Sequence, residues 1–519
     1  MILANLLSLL LHALYFISWP FFKLVHIRRR ANIPPIKNPL LKVSATTLAN
    51  KIRNGELSSQ TAVEAYIDRI KEVNPFVNAV VEDRFEAAIN DAKICDQMLK
   101  TGQVTAIILK KEKPLFGVPI TIKESCSIAG MSLTGGNLKR KGMKADEDGS
   151  VVEIVKNAGA IPLCVSNTSE LCSGLHASNF IVGSTKNPYD TRKSPGGSSG
   201  GEGALLGAGA SLLGIGSDFI GSIRIPSLFN GIFGHKPTPD IIPIKGHFPM
   251  SKDPAFQRML VLGPMARYAE DLHLVVKILS SKCEKPLRLD EPVDVKSLRV
   301  FYLENFDSYC GTKSTTSDIR RTIKEGTRYL AENGARVQHL SQDWVHDAFI
   351  FLMSFCGDLE FPEECFDNEN PEGKKSAMLG LIKAMFGLSD CTFDLALIRL
   401  LDDMHGFVPV SKIEHYKTLR EGIRSRLNNL LGNDGVFVCP TFPQPTTYPG
   451  LIPFRTDCTI YCGFGNMMDL PSTHVPMGLN NDGLPIGFQV MAASYQDRLC
   501  LAVARELEKA FGGWVPPPS

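Results

Sequence analysis

The sequence predicts an α/β layer fold preceded by one long apolar helix. Two observations carry this. Short, continuously apolar runs that read as buried strands alternate with segments of helical periodicity. With 44% hydrophobic residues, the 519-residue chain can also bury a large core.

Taken in order, Ile2 to Val25 is apolar except for Asn5, Ser8, His12, Ser18 and Lys23, and Arg28, Arg29 and Arg30 follow. A helix of that length can cross about 30 Å of hydrocarbon. A cleaved signal peptide carries its basic residues before a shorter apolar stretch and ends at a small-residue cleavage site. The order here favours an uncleaved single-pass anchor over residues 1–30, with a signal peptide and an amphipathic surface helix as the alternatives. The arginines after the run bias the following domain towards the cytosolic face. Residues 31–43, with Pro34, Pro35 and Pro39, read as a linker to a globular domain spanning 44–519.

Within that domain, Ser58 or Ser59 can cap an amphipathic surface helix carrying Val63, Tyr66, Ile67 and Ile70, with Asn74-Pro75 as its stop. Gly117 to Ile122 predicts a buried strand, Val151 to Asn157 a helix, and Ala160 to Val165 the next strand. Ten glycines then crowd into Gly196 to Gly221, a density that interrupts ordinary elements unless backbone must approach backbone or a ligand closely. Further on, Ala377 to Leu388 is apolar on most sides of a helix. A core helix is the favoured reading; a membrane-facing or substrate-gating helix is the alternative, suggested by the flanking Lys374 and Lys375.

Composition excludes several functions. The formal charge of +2 comes from balanced acids and bases, with no basic run interleaved with aromatics, so nucleic-acid binding is not expected. Thirteen cysteines are scattered from Cys95 to Cys500 with no close metal-ligand spacing, which predicts reduced, packed thiols and neither a disulfide scaffold nor a metal site.

The chemistry gathers at three places. Ser198 and Ser199 lie in Gly196-Gly197-Ser198-Ser199-Gly200-Gly201, and Ser222 lies in Gly221-Ser222-Ile223-Arg224. Serines among glycines alone also describe flexible turns. Lys123, at the end of the apolar strand, changes the balance: a lysine carried inside by a buried strand loses the hydration of its ammonium, and a neutral amine can take a proton from a hydroxyl.

These residues resemble the amidase-signature family, within it the fatty acid amide hydrolase branch and most closely its type 2 membrane enzymes. The likeness runs from about Val43 to Trp514. It is carried by Gly117 to Glu124, Ala158 to Leu163, Asn187 to Asp190, the glycine-serine box, Gly221 to Pro226, Gly234 to Pro237, Gly263 to Arg267, Val475 to Leu479 and Gly483 to Gly487. The resemblance implies a mixed central sheet covered by helices and a catalytic triad of Lys123, Ser198 and Ser222, at intervals of 75 and 24 residues. It further implies an acyl-enzyme on Ser222, an oxyanion site from backbone N–H groups of Phe219 to Ser222, and no cofactor or metal. The substrates implied are fatty amides such as N-acylethanolamines or primary fatty amides, met at a membrane reached through the N-terminal helix. A homodimer is the oligomer that relatives suggest. Asp218 and Arg224 are expected to brace the loop.

Two departures from the family pattern stand out. Phe219-Ile220-Gly221-Ser222 places Ile220 where glycine is usual, and a β-branched residue resists positive φ. Cys172 to His176, which borders the acyl groove in relatives and is bulkier and more aromatic there, is small here; His176 reads as an exposed loop histidine. Four alternatives remain: a catalytically weakened paralogue that binds lipid amides, an amidase for smaller non-lipid amides, a transamidating subunit of the same fold, and an α/β-hydrolase elbow at Ser198 partnered by Asp469 and His474.

Overall fold

Apolar runs and strands coincide closely. In the computed structural model, which describes residues 2–27, 31–102, 104–306, 314–366 and 377–518 but not the side chains of 2–5, 7 and 8, the strands of the main sheet are β1 (Val80–Asp83), β2 (Pro119–Lys123), β3 (Ile161–Ser166), β4 (Leu213–Asp218), β5 (Phe233–Lys236), β6 (Val261–Ala266), β7 (Arg299–Tyr302), β8 (Arg336–His339), β9 (Gly435–Cys439), β10 (Ser472–Leu479) and β11 (Pro485–Ala492). They lie side by side in the order β1-β3-β2-β4-β6-β5-β10-β11-β9-β7-β8. β2 runs parallel to β3 and β4, and β9 to β7 and β8, while the pairs around β5, β6, β10 and β11 are antiparallel. The sheet is therefore mixed, and helices cover it, as the resemblance implied. Strands β2, β3, β4, β6 and β9 are buried at every residue, which explains why β2 and β3 read as apolar runs.

Parallel pairing sets the site. β2 and β4 are neighbours with Thr121 opposite Gly214 and Ile122 opposite Ile215, so Lys123 and Asp218 leave the same edge of the sheet. Crevices beyond the carboxyl ends of parallel strands are where open α/β sheets bind ligands.

The helices are α1 (Ile2–Val25), α2 (Ser59–Val77), α3 (Ser150–Asn157), α4 (Gly200–Gly207), α5 (Arg224–Asn230), α6 (Ala377–Met385) and α7 (Phe393–Asp403), among others. α2 is capped by the Ser58 side chain, which accepts from Thr61 N. It does not stop at Asn74-Pro75: the helix contains Pro75 and ends at Asn78, in the left-handed conformation at φ +50°. α6 departs further from expectation. None of its residues is buried, so it is not a core helix; Met378, Leu379, Ile382 and Met385 present their side chains to solvent, followed by Phe386 and Leu388.

α1 is 24 residues long, contains Pro20, and lies partly against the body. Tyr15 is buried beneath the Arg455 guanidinium, 3.5 Å from its ring centroid, and His12 Nδ1 stands 3.4 Å from Asp457 Oδ2. Its other face exposes Leu9, Leu10, Phe16, Ile17 and Phe21. No helix among the described residues is long and apolar enough to cross a membrane. The basic residues Arg28 to Arg30, Lys374 and Lys375 lie outside the described residues. In the predicted linker, Ile33 and Leu41 are buried and Ala31 N donates to Thr191 Oγ1 at 3.0 Å, so this segment is laid onto the domain.

Candidate active site

Lys123 is wholly buried at the end of β2. Its Nζ donates to Ser198 Oγ at 2.6 Å and to Ser217 Oγ at 2.8 Å. Ser198 follows Gly197, whose missing side chain is required: a Cβ there would stand 2.4 Å from the Gly174 carbonyl oxygen and 2.6 Å from His176 N. The Gly197–Ser198 peptide is cis. Behind the lysine, on the same face of β2, Thr121 Oγ1 donates to Glu202 Oε2 of α4 at 2.6 Å, and burial pushes the Glu202 carboxyl up to about 7.

Ser222 sits between β4 and α5, on a loop that Asp218 holds from within. Asp218 Oδ1 accepts from Gly221 N at 2.8 Å and Oδ2 from Ile223 N at 3.1 Å. Burial alone would push this carboxyl up, but the Arg224 guanidinium, 3.0 Å away, holds it at about 2. Arg224 also donates to Cys462 O and Gln489 Oε1, tying the loop to β11 and to the helix at Ile460–Met467. Both residues are braces, as the sequence suggested. Gly221 takes φ +118° with Cys462 2.6 Å from where its Cβ would be, whereas Ile220 has no positive φ. Bracing commits the Gly221 N–H to Asp218. Among the described residues, the N–H groups of Phe219, Ile220 and Ser222 donate to no other group, which leaves three backbone donors beside the nucleophile.

The Ser199 N–H reaches the Ser222 carbonyl at 3.2 Å, so the two serine loops touch. No hydrogen bond joins the Ser198 and Ser222 side chains; catalytic hydrogen bonds often tighten only when substrate is bound. Ser222, Cys172, Phe219 and Ile220 line one cavity, together with Phe256, Leu260, Phe361, Leu397 and Leu401. Its wall is largely apolar, and Thr456 and Thr459 close it beside the segment that packs on α1.

Residues 61–501 match the model of the amidase family. The chain belongs to that family. The amidase is 40% identical over 489 residues to fatty-acid amide hydrolase 2 of Homo sapiens, covering 93% of this chain and 92% of the other. It is 41% identical to fatty-acid amide hydrolase 2-A of Danio rerio, covering 98% and 97%. In fold it superposes on a solved fatty acid amide hydrolase with a TM-score of 0.71 at 21% identity, over 92% of this chain and 86% of that one. It also superposes on 6-aminohexanoate cyclic dimer hydrolase, again with a TM-score of 0.71, at 23% identity, over 92% and 99%. It is a serine hydrolase of the amidase-signature type, and it cleaves amides.

In this amidase His176 is not an exposed loop residue. It is 8% exposed, its ring nitrogens lie 2.8 Å from Ser194 Oγ and 2.7 Å from Ser184 Oγ, and burial pushes it down to about 4, so it is a neutral clamp between loops. The α/β-hydrolase alternative also dissolves: Asp469 is taken by Arg258 and Arg424, and His474 Nδ1 is paired with Thr441 Oγ1 at 2.8 Å. Sequence reasoning missed Ser217 as the second partner of Lys123. Its placement follows only from the parallel pairing of β2 with β4, which delivers Lys123 and Ser217 to one edge. The cavity wall from Phe256, Phe361, Leu397 and Thr459 had no local signature.

Proposed function

We propose that this amidase hydrolyses amides of long-chain acyl groups, such as N-acylethanolamines or primary fatty amides, through an acyl-enzyme on Ser222. The observation that carries this is an apolar cavity with Ser222 in its wall and the Lys123–Ser198 contact alongside. Kinship with proteins named fatty-acid amide hydrolase 2 supports the same substrate class. In the reaction, unprotonated Lys123 takes the Ser198 proton, Ser198 takes that of Ser222, and Ser222 Oγ attacks the carbonyl carbon. The tetrahedral oxyanion is held by the backbone donors of Phe219, Ile220 and Ser222. The proton returns along the relay to the departing nitrogen, which leaves as an amine, and water then releases the acid. The exposed apolar faces of α1 and α6 support operation at a lipid surface with α1 as anchor, and Arg28, Arg29 and Arg30 after it favour a catalytic domain on the cytosolic side.

The test is a mass-spectrometric screen of purified full-length protein against amides graded from C4 to C20, with Ser222→Ala alongside. Each buried CH2 contributes about 0.8 kcal/mol, so four additional methylenes correspond to roughly a hundredfold or more in kcat/KM if the cavity takes the acyl chain. Equal rates on butyramide and palmitamide would overturn the substrate class. Turnover persisting in Ser222→Ala would overturn the nucleophile.

A further inference from the structure

The substrate cavity holds a second group that the hydrolytic relay does not use. Cys172 lines it together with Ser222, and two further cysteines, Cys356 and Cys365, line it as well. Leu171 and Cys172 both adopt left-handed backbone angles, φ +47° and +57°. Non-glycine residues rarely hold these angles. Here they are fixed by Leu171 N donating to Gly135 O at 2.6 Å and Cys172 N to Ser169 O at 3.0 Å.

His247, 7% exposed, lines the same cavity. Its Nδ1 is 3.0 Å from the Pro249 carbonyl oxygen, which can only accept, so Nδ1 carries the ring proton. Nε2 is then an acceptor, and no described residue donates to it. A thiol and an imidazole nitrogen without a partner thus line one cavity, and an imidazole acceptor is the group that generates thiolate nucleophiles. Electrostatics separate this cysteine from its neighbours. Burial pushes the Cys356 and Cys365 thiols up to about 12. Burial would raise Cys172 too, but Lys123, when it holds the relay proton, and His247 outweigh it and lower the thiol.

We propose that Cys172 is a second nucleophile of this cavity, where α,β-unsaturated carbonyl lipids that enter the acyl pocket are captured covalently, which occludes Ser222 and stops hydrolysis. In the step, the Cys172 sulfur forms a bond to the β-carbon of the electrophile, the carbon–carbon π bond breaks, and the α-carbon takes up the proton the thiol gave to His247. Nothing is oxidised or reduced, and no group leaves. The occlusion part rests on the reading of this cavity as the acyl site; the reactivity of Cys172 does not.

Two full-length proteins, wild type and Ser222→Ala, are treated with trans-2-nonenal, reduced with borohydride and mapped by peptide mass spectrometry. Cys172 should carry the adduct in both, at a rate at least tenfold above Cys356 and Cys365, and His247→Gln should slow it about tenfold or more. Fluorophosphonate labelling of Ser222 should fall in step with the adduct in wild type. In Cys172→Ala, labelling scaled to the untreated variant should be unaffected by the enal. Equal modification of the three cysteines, an unmodified Cys172, or labelling lost equally in Cys172→Ala would each overturn the proposal. If fluorophosphonate fails to label untreated wild type, the acyl-enzyme reading fails, and the adduct map on Ser222→Ala still decides the chemistry of Cys172.

Discussion

Replacing Ile220 by glycine tests whether the nucleophile loop is correctly aimed as it stands. A β-branched residue at this position would be harmful if the loop required positive φ here, but the positive angle, +118°, belongs to Gly221. Ile220 keeps its N–H uncommitted, and its methyl carbon lies 3.5 Å from the Cβ position of Gly463, so the side chain packs on the helix at Ile460–Met467. Glycine therefore relieves no strain. It adds backbone freedom worth roughly 0.5–1 kcal/mol and removes a half-buried side chain, so stability should fall by about 1–2 kcal/mol. A donor in such a site contributes roughly 3–4 kcal/mol to the barrier. Because that donor is already present, kcat/KM should change by less than about tenfold, or ~1.4 kcal/mol. The assay compares kcat/KM of the two purified proteins on one fatty amide, with thermal unfolding run in parallel. A gain of one hundredfold or more would refute the reasoning and mean that the isoleucine misaims the loop.

Three further outcomes follow from the same geometry. Lys123→Ala should abolish turnover with the fold retained, since it removes the group that accepts the Ser198 proton; a variant keeping the wild-type rate would exclude the relay. Burial raises the folded-state Glu202 carboxyl to about 7 from an ordinary 4.5. Between those values the folded chain holds a proton that the unfolded chain has lost, so this residue withdraws up to about 3 kcal/mol of stability as pH rises from 4.5 through 7. Glu202→Gln should flatten that part of the stability profile measured by urea unfolding, and an unchanged slope would contradict it. Finally, deleting residues 1–30 should leave partial binding to phospholipid vesicles in a flotation assay, because α6 keeps its apolar side chains outward; complete loss would show that α6 does not bind lipid.

What the sequence made legible was local. The strands ending at Lys123 and Val165 announced themselves because they are buried on both faces, and the glycine box because Gly197 and Gly201 have backbone atoms 2.4 Å from where a side chain would begin. Pro75 misled as a stop, since α2 has only two more residues to run before its left-handed cap at Asn78. α6 and His176 misled in opposite directions: an apolar helix lies open and an imidazole lies buried, because tertiary neighbours decide exposure and local pattern does not. The cavity wall is assembled from Phe256, Phe361, Leu397 and Thr459, residues scattered over about two hundred positions, and no periodicity can join them.

The close backbone contacts at Gly197 and Gly221 have a consequence for how this protein can change. Any side chain at either position collides with the Gly174 carbonyl or with Cys462, so neither glycine can be replaced without moving the loop that carries a reacting serine. The cavity's apolar wall is built from side chains, among them Phe256, Leu260, Leu397 and Leu401, none of which hydrogen-bonds to the relay. The glycines that let the reactive loops pack and the side chains that shape the cavity are thus separate sets of positions. A lineage, or a designer, can reshape which amide is admitted without touching how it is cut.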